Sequence, residues 1–170
     1  MISFRPIRGP VAALSCVALA ACLSSSPALP PVRWFDPLPP AGGQAAVAVV
    51  RATAAPHLRQ PFAVRVGPRE FALDAGNQWV DEPAALCSLF VGRTLGGRLA
   101  GAPCAIQLEA FELDVTGAPR AHVRFAFVGA PPAGAPPVVD AWADAANRSP
   151  VACAEAMAQA LALAGAQLGS

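Results

Sequence analysis

The sequence predicts an α+β fold: a mainly antiparallel or mixed sheet with two helices packed on one face, in a single domain. Several short segments alternate apolar and polar residues, as strands do, and two longer segments have apolar residues at helical spacing. Of the 170 residues, 55% are hydrophobic and 14% are charged. That proportion supports one real core and excludes a wholly disordered chain.

The first half of the predicted domain consists of strands. An edge strand is expected at 32–36, after which Pro and Gly residues interrupt the chain. A buried strand is expected at 44–52, because this run is apolar and rich in Val. A hairpin with a Gly-Pro turn follows at 62–73, and a second turn is expected at 74–78.

Two segments have the pattern of helices. The first runs from an N-cap at Asp81 to about Leu99, with Pro close behind the cap and an apolar stripe along one side. The second begins with Ser149 as its N-cap and Pro150 at its first position, and it is expected to end near Gly165.

Strands are expected between and after these helix starts, at 104–115, 121–128 and 138–143. The segment 121–128 is the clearest, since it alternates strictly between apolar and polar side chains. In 104–115 the apolar phase changes near Ala110-Phe111, which predicts a β-bulge at that point.

The amino-terminal residues read as an export signal. Residues 1–21 have two Arg residues followed by a short apolar run. Leu19-Ala20-Ala21-Cys22 follows the order of the bacterial lipobox, in which the Cys thiol is alkylated by diacylglycerol and a peptidase cuts just before it. We therefore expect a signal peptide at 1–21, a lipidated Cys22 that opens a Ser/Pro-rich tether at 22–43, and a folded domain at 44–168. The alternative is a plain secretory signal in which Cys22 is incidental.

The residue after Cys22 bears on localisation. It is Leu23 rather than Asp, which in the enterobacterial sorting pattern predicts transfer to the outer membrane, with the domain facing the periplasm. The formal net charge of +1 leaves no basic footprint, so nucleic acid is excluded as the expected partner.

Three cysteines remain in the domain: Cys87, Cys104 and Cys153. Because the periplasm is oxidising, a disulfide is expected among them. Cys87–Cys104 would join the first helix to the next strand, and Cys87–Cys153 would join the two helices. The alternative is that all three are small buried apolar side chains.

The candidate chemical groups are sparse. His57 and His122 are expected to be solvated, and no set of metal ligands is expected around them. Glu109, Glu112 and Asp114 form an acidic cluster on one strand, which we expect to be solvated carboxylates at an edge rather than an acid–base pair. No catalytic residue is expected, because no nucleophile has a base at a recognisable spacing.

Trp79 and Trp142 each have two interpretations. They are core aromatics that cover the seam between helices and sheet, or they are anchors in an interface with a partner, where Trp is enriched.

The order of motifs along the chain resembles that of a known family. After the lipobox and tether come an aromatic strand, the pattern H-L-x-x-P-x-x-V-R at 57–65, Trp79 ahead of Glu82-Pro83, and F-E-x-D-x-x-G at 111–117. In this order the chain resembles the ABC-type transport auxiliary lipoproteins, the PqiC-like family. It departs from the family at 33–35, where a Tyr-rich strand is usual, and at Asn77, where an aromatic often precedes the Trp.

The resemblance implies a function. It implies a lipid-anchored, non-catalytic docking adaptor at the outer membrane, in an ABC/MCE-type system that moves phospholipid or another hydrophobic solute between membranes. The implied partners are an MCE-domain protein and an inner-membrane transporter component, with no cofactor. Some members of the family assemble as rings, so the resemblance is compatible with a homo-oligomer. Two hypotheses from other classes are a lipid-anchored periplasmic hydrolase and an assembly factor for an outer-membrane complex.

Overall fold

A computed structural model of the chain describes residues 30–39, 47–99 and 102–169. The predicted signal peptide, Cys22, and much of the predicted tether lie outside these residues. The folded part is one compact unit that begins at Val32. Within the described residues it has a mixed sheet of seven strands and two helices, so the α+β prediction is confirmed.

The elements follow the predicted order. In chain order they are β1 (Arg33–Phe35), β2 (Val50–Ala54), β3 (Pro61–Gly67), β4 (Glu70–Trp79), α1 (Pro83–Leu99), β5 (Cys104–Asp114), β6 (Arg120–Phe127), β7 (Val138–Asp144) and α2 (Pro150–Gly169). The sheet order is β1-β4-β3-β5-β6-β7, and β2 pairs separately with β5. Both β2 and β3 run parallel to β5, β2 along its first half and β3 along its second. The strand β5 is therefore the centre of the sheet.

The predicted turn at 74–78 is wrong, because β4 continues through it to Trp79. The register of β3 against β4 shifts here, from Phe62 opposite Asp74 to Pro61 opposite Gln78. The Asp74 carboxylate accepts hydrogen bonds from the backbone N–H of Gly76 at 3.1 Å and from the Asn77 side chain at 2.7 Å. These residues make local turn contacts, but they do so in an irregularity within the strand.

The predicted β-bulge is confirmed. The pairing of β5 with β6 shifts register between Leu108 and Ala110, which leaves Glu109 as the extra residue. On the far side of the bulge Phe111 and Leu113 return to the buried face, so the strand supplies core residues along its full length.

The helices begin close to the predicted caps. In α2 the Ser149 hydroxyl accepts a hydrogen bond from the Ala152 N–H at 3.3 Å, as an N-cap does. The first backbone bond of α1 runs from Leu86 N–H to the Glu82 carbonyl at 3.0 Å, one residue later than a cap at Asp81 would place it. The helix α2 extends to Gly169, beyond the predicted end, because its apolar face continues to the fully buried Leu168.

Both helices cover the same face of the sheet. The helix α2 packs on β6 and β7, α1 packs on β2 and β5, and the helices contact each other. By length and composition α2 would also meet the requirement for a membrane span, but half of its apolar window is buried inside the domain, as in a core helix. The largest fully buried side chains lie in this layer: Trp79, Phe62, Phe111, Phe125, Leu95, Met157 and Leu161.

A close approach of α1 to the segment ahead of β2 requires glycine. The Ala48 N–H donates to the Gly92 carbonyl at 3.1 Å. A Cβ atom on Gly92 would collide with the backbone oxygen of Ala48. The helix can sit this close to the backbone only because residue 92 has no side chain.

Candidate functional site

The sheet face opposite the helices, here called the open face, bears no helix within the described residues. Its polar character follows from strand alternation. On β6, Val123 and Phe125 are fully buried in the core, so His122 and Arg124 project to the open face. Register pairs His122 with Glu112 of β5 and with Trp142 of β7.

Glu112 is the centre of this face. Its side chain is fully buried, and its Oε1 accepts two hydrogen bonds from Arg65, from Nε at 2.8 Å and from Nη2 at 2.6 Å. Arg65 reaches it because β3 runs parallel to β5 with Arg65 opposite Asp114. The expectation of solvated acids at an edge is therefore wrong for Glu112 and Asp114, since β5 has strands on both sides.

Two opposed effects act on the pKa of Glu112. Burial removes water from the carboxylate and by itself would raise the pKa. The interactions with His122 and Arg65 outweigh burial and hold the pKa below its usual value. Glu112 is therefore a fixed carboxylate, by which we mean that it stays ionised at neutral pH and does not act as a proton donor.

His122 lies between two carboxylates and is not solvated as expected. Its Nε2 is 2.9 Å from Asp140 Oδ1, and its Nδ1 is 3.5 Å from Glu112 Oε1. The ring stacks on Trp142 with centroids 3.6 Å apart and planes 7° apart. Trp142 therefore covers one face of the imidazole ring, and the backbone of His122 is paired with β5 on one side and β7 on the other.

His57 approaches Glu112 from the loop before β3. Its Nε2 lies 3.9 Å from Glu112 Oε2, and its ring packs on Phe71 with centroids 4.3 Å apart. The imidazole is about one-third exposed, so it is at the rim of the cluster. Neither His57 Nε2 nor Glu112 Oε2 has a hydrogen-bond partner among the described residues.

Arg124 links the cluster to the β5 bulge. It donates to Glu109 Oε2 at 2.7 Å and to Asp140 Oδ2 at 2.8 Å. The bulge turns Glu109 toward β6, and this allows Glu109 to accept the hydrogen bond from Arg124. We call the connected set the Glu112 cluster: Arg65, Glu109, Glu112, His122, Arg124 and Asp140.

A second pair lies beside the cluster. Asp114 accepts hydrogen bonds from the Thr116 hydroxyl at 2.6 Å and the Thr116 N–H at 2.9 Å, and it pairs with Arg120 at 3.3 Å. Burial alone would raise the pKa of Asp114, but these bonds lower it. The Arg120 guanidinium also lies 4.1 Å from the centre of the Trp142 ring. Trp142 remains 36% exposed at the edge strand β7.

The interface interpretation of Trp79 is wrong. Its side chain is only 1% exposed, and it stacks on Phe62 with centroids 4.0 Å apart, with Phe111 edge-on at 5.2 Å. Trp79 is a core aromatic, whereas Trp142 keeps an exposed surface that a partner could contact. The interface role of Trp142 stays a prediction.

The expected disulfide is not formed. Cys87, Cys104 and Cys153 are all free and buried. Each packs as a small apolar side chain in the core, on α1, at the start of β5 and in the first turn of α2, which is the alternative stated above. Burial raises the pKa of each of these thiols, so none is an activated nucleophile.

The contacts define what this face can do chemically. Among the described residues no group of three ligands is placed to hold a metal ion. The Ser88 hydroxyl, a conceivable nucleophile, donates to the Val50 carbonyl and so ties α1 to β2. The Glu112 cluster joins carboxylates of β5 and β7 to basic side chains of β3 and β6. Through His122 it can hold Trp142 in a fixed position at the surface, and Asp114 beside the cluster holds Arg120.

Sequence reasoning missed Arg65, Asp140 and Arg124 as members of the site. One signal was available: β5 and β6 each carry two polar residues, two positions apart, on the face away from their apolar side chains, and β7 carries Asp140 on that face beside Trp142. Matching charges on neighbouring strands indicate cross-strand pairs. The partners could not be assigned without the order and register of the strands.

Comparison with solved structures finds the same fold in two crystal structures. A crystal structure of protein XCC0632 from Xanthomonas campestris, described under the family model DUF330, superimposes with a TM-score of 0.55 at 17% identity, covering 83% of this chain and 91% of that one. A second crystal structure, of an uncharacterized protein, gives a TM-score of 0.57 at 11% identity, covering 82% and 97%. At these identities the similarity establishes the fold alone.

Two further comparisons found no relative. No family model matches the sequence. No curated protein matches it either.

Proposed function

We propose that the protein is a lipid-anchored periplasmic adaptor at the outer membrane, a non-catalytic accessory subunit of an ABC/MCE-type system that transports phospholipid or another hydrophobic solute. Its folded domain docks an MCE-domain protein and thereby connects the outer membrane to the inner-membrane transporter component. The proposal combines the resemblance in motif order with the geometry of the open face.

The proposed docking role rests on the position of Trp142. Trp142 lies on an edge strand, 36% exposed, with its ring flat on His122 and with Arg120 against it. His122 of the Glu112 cluster supports the Trp142 ring, and Asp114 pairs with Arg120. A rigid aromatic side chain beside an Arg, with little side-chain entropy left to lose, is typical of residues that dominate binding to a partner protein.

The proposed location at the outer membrane rests on the lipid anchor. The lipobox at 19–22 places Cys22 for lipidation, and stable attachment to a membrane requires more than one acyl chain. Attachment to a membrane raises the effective concentration of the domain at its partner without any new contact. An adaptor of modest intrinsic affinity can therefore function at the outer membrane.

Metabolic labelling with a palmitate probe tests the anchor. The native chain should incorporate the probe and fractionate with the outer membrane, and Cys22→Ala should lose the label. Unchanged labelling of Cys22→Ala would refute lipidation at this residue. A labelled chain found in the inner membrane would refute the sorting step alone.

Co-purification from detergent tests the docking role. The native protein should recover an MCE-domain protein identified by mass spectrometry, and Trp142→Ala should lower that recovery by about tenfold. The matched control is Val49→Ser, since Val49 is 84% exposed and lies ahead of β2, a strand that pairs with β5 and not with β7. If both variants recover the MCE-domain protein equally, Trp142 is not in the interface. If the native protein recovers none, the adaptor proposal fails.

A further inference from the structure

The opposite edge of the sheet from Trp142 is formed by β1, which exposes apolar side chains. Within the described residues β1 pairs only with β4, so its other edge is free. Trp34 is 54% exposed, Val32 is 44% exposed, and Val80, just after β4, is 45% exposed. We call these three residues the β1 patch. An exposed Trp with two exposed Val residues at one edge forms an apolar surface of the kind that binds a protein or a membrane.

Strand geometry explains why Trp34 faces outward. Its neighbour Phe35 is opposite Trp79 and packs on Phe62 with ring centroids 5.2 Å apart, so Phe35 faces the core. Trp34, the adjacent residue, must then project to the other face. The Val80 N–H donates to the Phe35 carbonyl at 3.0 Å, which holds Val80 beside the end of β1. The exposure of the patch is therefore enforced by the packing of Phe35 and Trp79.

The length of chain before β1 limits what can meet this patch. Val32 follows the predicted lipidation site, Cys22, by about ten residues, which span at most about 36 Å when fully extended. The strand β1 is thus the first described element after the anchor, and β7 is the last strand at the other end of the sheet. If Cys22 is held in a bilayer, the chain leads from that anchor to β1 before it reaches any other described element.

The chemistry of the patch fits the headgroup layer of a bilayer. Trp is favoured there, because its ring is apolar while its indole N–H can still hydrogen-bond. Arg33 is the basic residue of β1, but the acids Asp36, Asp81 and Glu82 lie next to the patch in the chain. Contact would therefore be driven by apolar burial rather than by attraction to anionic lipid.

We propose that the β1 patch inserts into the headgroup region of the phospholipid bilayer that holds the acyl chains of Cys22. This inference rests on the proposed lipid anchor. Contact at β1 leaves β7, with Trp142, at the other edge of the sheet and available to a partner. The patch is a membrane-contact site separate from the Glu112 cluster.

Fluorescence quenching in vesicles tests the contact. The native lipidated protein is reconstituted into phosphatidylcholine vesicles whose acyl chains carry bromine, which quenches Trp only within contact range. The wild type should be quenched in part, and Trp34→Phe should lose that quenched component. Trp142→Phe, a change at the other edge of the sheet, should retain it. Circular dichroism confirms that both variants are folded.

A second measurement uses the chain without its lipid, expressed from residue 23 behind a cleavable signal. This chain retains the whole compact unit that begins at Val32. Its partition into phosphatidylcholine vesicles should be weak, and Trp34→Ala should lower it by about tenfold, the effect of losing one half-exposed Trp. Val49→Ser is the control and should leave partition unchanged. Adding phosphatidylglycerol should not strengthen binding.

The outcomes separate the two proposals. If the native protein sediments with vesicles but Trp34 is not quenched, the anchor stands and the β1 patch is not a membrane contact. If Trp34→Ala instead dissociates an oligomer or removes the MCE-domain protein, the patch is a protein interface and the inference is overturned. If the native protein does not sediment with vesicles at all, both the anchor and this inference fail.

Discussion

Replacing Arg65 by Met should destabilise the domain by removing the main cation from a buried carboxylate. Arg65 donates two short hydrogen bonds to Glu112, whose side chain is fully buried. Breaking a fully buried pair from one side costs about 3–5 kcal/mol. Arg65 is itself 27% exposed and His122 remains 3.5 Å from the carboxylate, so the expected cost is smaller, about 2–3 kcal/mol. Met keeps an unbranched apolar stem, but it also removes the guanidinium that lies 4.5 Å from the centre of the Phe71 ring.

The loss should depend on pH in a defined direction. In the wild type the pKa of Glu112 is lowered, so its contribution to stability is present above the unfolded value of about 4.3 and disappears as the pH falls through the folded value. Without Arg65, burial dominates and the pKa of Glu112 rises. The difference between wild type and Arg65→Met should therefore be largest at neutral pH and should shrink below about pH 4.

Urea unfolding followed by circular dichroism at several pH values measures this difference. Glu112→Gln is the matched control, since it removes the charge and nearly preserves the shape of the side chain. It should flatten the pH dependence, and the double variant should show a coupling of about 1–3 kcal/mol. A cost under about 0.5 kcal/mol for Arg65→Met, or a cost equally large in acid, would refute the account of Glu112 as a fixed carboxylate.

Three further predictions concern the core. Gly92→Ala should lower the free energy of unfolding by about 1–3 kcal/mol, because the new Cβ would collide with the Ala48 carbonyl oxygen. Gly97→Ala is the control: its Cβ would meet no other atom, so the change should raise the free energy of unfolding by up to about 1 kcal/mol. Urea unfolding compares the two variants, and equal effects would contradict the close approach of α1 to Ala48. Trp79→Ala should cost about 3–5 kcal/mol, and a loss below about 1 kcal/mol in thermal unfolding would show that the ring is not in the core. Cys87 should resist alkylation in the folded protein, because burial raises the pKa of its thiol, and it should react fully in urea. Mass spectrometry follows the reaction, and rapid labelling of the native protein would show that Cys87 is not buried.

Much of the fold could be predicted because local patterns and long-range packing agree. The strict alternation in β6 places Val123 and Phe125 in the core, and the cap at Ser149 starts α2 where the structure has it. The apolar phase change in β5 located the bulge within a residue or two. The prediction of a turn at 74–78 was wrong because turn-forming residues there are accommodated within β4, between β3 and β1.

The candidate site was harder to predict than the fold. The residues of the Glu112 cluster are spread over four strands, and the pairs within it join residues from 10 to 47 positions apart. Whether Glu112 is solvated or buried depends on whether β5 is an edge or a central strand, which alternation alone does not reveal. The cysteines illustrate the same limit, since the prediction of a disulfide came from an expected oxidising compartment, whereas the packing keeps each thiol in its own part of the core.

The sequence by itself determined the class of fold, the extents of most elements and the inward face of each clear strand. The export and lipidation signals at the amino terminus stay predictions. These depend on residues close together in the chain, whose spacing and capping chemistry act locally. Only the tertiary structure decided that β3 and β2 both flank β5, that Glu112 is buried beneath Arg65, and that Trp79 is covered while Trp34 and Trp142 remain exposed. Burial is a property of the assembled sheet, because a side chain loses water only when residues distant in sequence close over it.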